Sequence, residues 1–239
     1  MRSLFRNVIA PLTFVGLALL GNYLRITISP GVDFIFGSIF VLLLLRLYGL
    51  GWGVLAAVVS GCYTVIIWEH PYGMAVFVLE ALTVSLLLGK KRTNILAYDM
   101  IFWLMLGMPL SWMFYRFGVE INTSSITLLV LKQCLNGIFN ASLAGLLVIT
   151  AGHFLPVGRG NKVPMFSMHV YLFCLISALI MVVSLCMMVF DGKNEYNLLR
   201  NSLIDRMRGS SRMAFFQIRE LLSDSITSLK ALSAQATKY

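Results

Sequence analysis

Residues 49–92, GLGWGVLAAVVSGCYTVIIWEHPYGMAVFVLEALTVSLLLGKKR, hold two long apolar runs joined by Glu69-His70-Pro71-Tyr72-Gly73 and closed by Lys90-Lys91-Arg92. The hydrocarbon core of a bilayer is about 30 Å thick and takes roughly 20 apolar residues of helix to cross, so the stretch predicts a transmembrane hairpin. Its second arm carries Glu80 in mid-run. An ionisable side chain at membrane depth is costly and tends to face the bundle interior, which marks Glu80 as a candidate site residue.

The rest of the chain repeats the pattern. It is 59% hydrophobic and 12% charged, with a mean hydropathy of +0.84, leaving more apolar surface than a water-soluble domain can cover. Spans are expected at about 8–25, 34–45, 50–68, 73–89, 98–115, 126–154 and 169–190. The fold class that follows is all-α, a polytopic transmembrane helical bundle of about seven spans. The run 34–45 is short for a crossing and reads as a thinned or re-entrant span. Thr27 to Asp33, with Ser29-Pro30-Gly31, reads as a polar turn, and Gly107-Met108-Pro109 predicts a kink in the fifth span. Cys62, Cys134, Cys174 and Cys186 all fall in apolar runs and read as free thiols.

Charge orients the bundle. Residues 1–190 carry 11 Lys/Arg against 5 Asp/Glu. Seven crossings with the N-terminus inside put Arg2, Arg6, Arg46, Lys90, Lys91, Arg92, Arg159 and Lys162 on the cytoplasmic side, and leave Arg25 and Arg116 in the outer short loops beside Asp33, Glu69 and Glu120. That asymmetry is the positive-inside pattern and gives an N-in, C-out chain. Lys193, Arg200, Arg206 and Arg208 after the last span weigh the other way.

A second region begins at residue 191. Its apolar residues, Phe215, Ile218, Leu222, Ile226, Leu229, Leu232 and Ala236, recur every three or four positions and form one stripe on an amphipathic helix. One such helix cannot bury its stripe alone; a second copy, a following domain or the membrane surface has to cover it. The domains expected are therefore 1–190 as the bundle and 191–239 as an extracytoplasmic helix that favours a homodimer.

Three groups of residues could carry function. Gly53, Ala57 and Gly61, and Gly137, Ala141 and Gly145, form two ridges of small residues at spacing four, which point to close helix packing before ligand contact. Lys132, Asn136 and Asn140 line one edge of the sixth span. With Glu80 opposite as their counter-group, they make a polar clamp or a site for a small ligand or a proton. Glu69-His70-Pro71-Tyr72 reads as a wet loop before a metal or pH-sensing site, Asp99 as a complement to its helix N-terminus, and Trp52, Trp68, Trp103 and Trp112 as interface anchors. The sequence has no phosphate-binding glycine loop, no metal-ligand spacing and no nucleophile elbow, so no enzyme, no cofactor and no nucleic-acid partner is expected.

The order GSIFVLLLLRLYGLGWGVLAAVVSGCYTVI, a brief outer turn, FVLEALTVSLLLGKKR and then LLVLKQCLNGIFNASLAGLL resembles the multi-helix input domains of bacterial sensor proteins. It is most similar to the five-transmembrane receptor domain of LytS-type sensor kinases and, more remotely, to the S components of energy-coupling-factor vitamin transporters. The tail resembles the first helix of a Cache-type sensor domain. The resemblance implies a non-enzymatic input module in the bacterial inner membrane, placed ahead of a histidine kinase of a two-component system or a diguanylate cyclase or phosphodiesterase. Such a module senses a small ligand or the membrane state. The alternative it implies is a vitamin-uptake component. The chain stops at Tyr239, before any Cache core or output domain, as a piece of a longer protein or a stand-alone module would.

Overall fold

A computed structural model describes residues 5–29, 32–89, 94–119, 123–151 and 168–236. Helices take up 91% of these residues, so the fold is all-α. The order is a π-helical turn Phe5–Ile9, α1 (Ala10–Tyr23), a hairpin of β1 (Ile26–Ser29) and β2 (Val32–Phe34), α2 (Gly37–Leu47), α3 (Leu50–Trp68) and α4 (Tyr72–Leu88). There follow α5 (Ile95–Phe102), a π-helical segment Trp103–Gly107, α6 (Met108–Gly118), α7 (Thr123–Ala151) and α8 (Met168–Ala236). Contacts divide the chain into two units, Met1–Val189 and Phe190–Tyr239.

Among the described residues, five helical stretches are long and apolar enough to cross a membrane: Phe5–Tyr23, Leu50–Trp68, Ile95–Gly118, Ile126–Thr150 and Met168–Met187. Two more, Gly37–Leu47 and Tyr72–Leu88, are apolar but shorter. Lys90, Lys91 and Arg92, like Arg2, Glu120, Arg159 and Lys162, lie outside the described residues.

The first unit is built around α2. Every residue of that helix except Phe40 is buried, Arg46 included, because α1, α3, α4 and α7 all pack against it. An 11-residue helix is about 16 Å long, half the thickness of a bilayer core. The extended residues before it lengthen the path. Where the sequence reads as a plain polar turn, the chain forms an antiparallel hairpin in which Ile26 pairs with Phe34 and Thr27 with Asp33. Asp33 holds this hairpin together, accepting a hydrogen bond from Thr27 Oγ1 at 2.6 Å and facing Arg25 at 3.4 Å.

Two turns need particular backbone geometry. Tyr48-Gly49 reverses the chain from α2 into α3 with Gly49 at φ 96°, a conformation open to glycine and strained for other residues. Glu69 closes α3 in the left-handed region at φ 58°. At Pro109 the expected kink takes the form of the π-helical turn just before it; a wider turn absorbs the interruption in the helical hydrogen-bond ladder that proline makes.

In the second unit the described residues are helical throughout. Phe215, Ile218, Leu222, Ile226 and Leu229 of the stripe read from the sequence are all exposed, while the side chains of Leu232 and Ala236 lie outside those described.

Candidate functional site

Helix α2 begins at Gly37, so Ile35 and Phe36 present backbone groups with no intrahelical partner. Buried backbone of this kind has to be satisfied by neighbours. Asn136 does so twice: its Nδ2 donates to the Ile35 carbonyl and its Oδ1 accepts from the Ile35 N–H, each at 2.9 Å. Asn140 Nδ2 donates to the same carbonyl at 2.9 Å and to Ser38 Oγ at 2.8 Å. The Phe36 N–H reaches the Gly21 carbonyl, and the Gly37 N–H donates to Asn22 Oδ1 at 2.8 Å, while Asn22 Nδ2 holds the Ser60 carbonyl of α3. Three asparagines thus pin the mouth of a short helix.

This arrangement corrects the pairing expected from sequence, in which Glu80 met the amides of α7 or Lys132. The amides are engaged by the Ile35 backbone, whose polarity is fixed, whereas a carboxyl can relieve its own burial by taking up a proton. Asn22 carries the same signal as Asn136 and Asn140, an amide inside an apolar run, and belongs with them.

Lys132 lies one turn from Asn136 toward the hairpin end of the bundle. Its side chain is 5% exposed, with Nζ 5.4 Å from the Trp68 ring centre and within range of the Asp33 charge. Beside it opens a cleft of about 320 Å³ lined by Trp68, Glu69, His70, Tyr115, Lys132 and Gln133, with Ile67, Val119 and Leu129. Gln133 Nε2 donates to the Tyr115 hydroxyl at 2.5 Å, and the His70 ring lies 5.2 Å from Tyr72, 5.8 Å from Tyr115 and 6.2 Å from Trp68. In the segment read as a wet loop, Glu69 and Pro71 are exposed as expected, whereas His70 and Tyr72 are half-buried in an aromatic cluster. Partial burial lowers the proton affinity of His70 below its ordinary value, so the ring is neutral at pH 7.

A smaller cavity of about 20 Å³, enough for one water, adjoins the cleft. It shares Trp68, Lys132 and Gln133 with the cleft and is closed by Ile35, Asn136 and Trp103. Trp103 is 2% exposed and so is no interface anchor; Trp52 and Trp68 are partly buried against the core, while Trp112 is exposed. The indole of Trp103 lies against Gly137, where a Cβ would collide with its Nε1. The same indole also meets Glu80.

Glu80 is 1% exposed, and its side chain meets Asp99 of α5 and the Trp103 indole. Asp99 is fully buried, so it does not serve its helix N-terminus, which Asn94 caps by accepting from the Ala97 N–H at 3.3 Å. No spacing rule links two carboxyls 19 positions apart across a loop. What the sequence did carry was a second acidic residue inside an apolar run.

The small-residue ridges are packing surfaces. A Cβ at Gly53 would strike Leu45 of α2, one at Gly61 would strike Met74 of α4, and one at Gly145 would lie 3.0 Å from Cys174 Sγ in α8, while Ala57 and Ala141 are fully buried. Among the described residues no cluster of three or more His, Cys, Asp or Glu could hold a metal ion. No family model, curated protein or solved structure matches the chain.

Proposed function

We propose that the chain is a membrane-embedded, non-enzymatic input module of a bacterial signal-transduction protein, with the cleft at Trp68, His70, Tyr115, Lys132 and Gln133 as its ligand site. The observation that carries the reading is the cleft itself. At about 320 Å³ it has the size of a small-molecule pocket, with flat aromatic walls and a few converging polar groups. Its ligand is a small molecule with an apolar body and an acceptor group for Lys132 and Gln133. The bundle crosses the inner membrane seven times, N-in and C-out, with α4 and the composite of Phe34–Phe36 and α2 as the two shorter crossings. The extended residues add about 10 Å to the 16 Å of α2. The signal leaves along the chain through the last span, and the exposed stripe from Phe215 to Leu229 pairs with a second copy.

The test joins this chain to a cyclase or kinase output domain in cells. Trp68→Ala and Lys132→Met are expected to change reporter output at unchanged membrane abundance; unchanged output at normal abundance overturns the reading. Co-purification with a pair of ATPases would favour uptake instead.

A further inference from the structure

We infer that Glu80 and Asp99 form a proton-binding site inside the bundle, a pair of carboxyls that holds at least one proton between them. This site does not depend on what binds in the cleft.

The geometry carries the inference. Both side chains are at most 1% exposed, they come from adjacent helices α4 and α5, and they lie within hydrogen-bonding reach of one another. Two carboxylates in contact away from water repel and offer each other only acceptors; one proton turns the contact into an O–H···O bond. As a dianion the site fails on hydrogen bonding. Glu80 Oε1 and both Asp99 oxygens have no donor, while the Trp103 indole Nε1, buried beside them, has no acceptor in bonding geometry. Adding H⁺ to one carboxylate supplies the missing donor between the two carboxyls and leaves the pair at a single negative charge, with acceptor oxygens still available to the Trp103 N–H.

Cys134 of α7 faces Asp99, and its thiol carries no positive charge. On α2, Arg46 lines a separate inner cavity with Asn94 and Ile95, and on α7 Lys132 stands over Trp68. On α6, Tyr115 accepts from Gln133, and on α3 Cys62 lies at the exposed surface. Among the described residues, the side chains shown acting on Glu80 are Asp99 and Trp103, and the charge shown acting on Asp99 is that of Glu80. A hard metal cation wants six or more oxygen ligands, and among the described residues no third metal-ligating residue joins the two carboxyls to supply them. A proton needs only the pair.

The path to the site is visible in part. Trp103 meets Glu80 and also lines the one-water cavity near the cleft. Proton occupancy at the pair and the packing of that cavity therefore share a side chain.

The experiment is infrared difference spectroscopy on the full chain in lipid nanodiscs. At neutral pH the wild type is expected to show the C=O stretch of a protonated carboxyl, shifted on exchange into D2O. Glu80→Gln and Asp99→Asn should each move that band, and the double variant should lose it. If the double variant does not survive purification, the two single variants carry the same test. Absence of the band in the wild type, or a band unmoved in both single variants, overturns the inference. Loss of the band on adding sodium alone would also overturn it, by making the pair a cation site.

Discussion

Asn136 and Asn140 look interchangeable in the sequence, yet they do different work. Asn136 is the only partner shown for the Ile35 N–H, whereas the Ile35 carbonyl is held by both residues and Asn140 keeps an unpartnered Oδ1. Asn136→Ala is therefore expected to cost about 1–3 kcal/mol, the penalty for an orphaned buried donor, and Asn140→Ala less; thermal unfolding in detergent or nanodiscs orders the two. His70 gives a pH test. Its folded imidazole binds a proton less readily than the free side chain, with an ordinary value of 6.5, because burial disfavours the charged ring. The unfolded chain then takes up the proton first on acidification, so stability is full above about pH 6.5 and falls as pH drops through that value. His70→Gln should flatten the unfolding midpoint between pH 7.5 and 5 if this holds. These residues could be picked out as polar groups in apolar surroundings, but their partners could not. Ile35 acts through its backbone, which leaves no mark in a residue pattern, and Asp99 resembles a helix-end acid until the fold turns it inward.

At the level of elements, hydropathy located the helices well and their joints poorly. Span length follows from apolar runs, which is why α3, α4 and α7 fall close to their expected positions. The β-hairpin and the π-helical turn depend on who satisfies backbone groups across the bundle, a question of tertiary contact. The π-helical turn also sets Trp103 inward against Gly137. Gly137→Ala should push the indole aside at a cost of about 1–3 kcal/mol, the usual range for overpacking. Adding Trp103→Phe should recover part of that loss, so the double variant is expected to be less destabilised than the two singles combined. Strictly additive losses would show that the contact is not the one that matters.

For the whole molecule, orientation and assembly are the open variables that charge and surface address. With all four native cysteines replaced, a cysteine at Ser228 should react with an impermeant reagent in intact cells; protection would refute the C-out orientation. Within the first unit, the clamp on Ile35 has a consequence for biogenesis. Its partners Asn136 and Asn140 lie 101 and 105 positions later in the chain. At about 5–20 residues per second of synthesis, the mouth of α2 waits on the order of 5–20 s before its hydrogen-bond partners exist. An apolar run of 11 residues ending at a buried arginine has little hold on the bilayer by itself in that interval. On the proposed seven-span topology, insertion of α2 would be a late event conditional on α7, and a ribosome stalled before residue 136 would hold a chain whose central helix lacks its clamp.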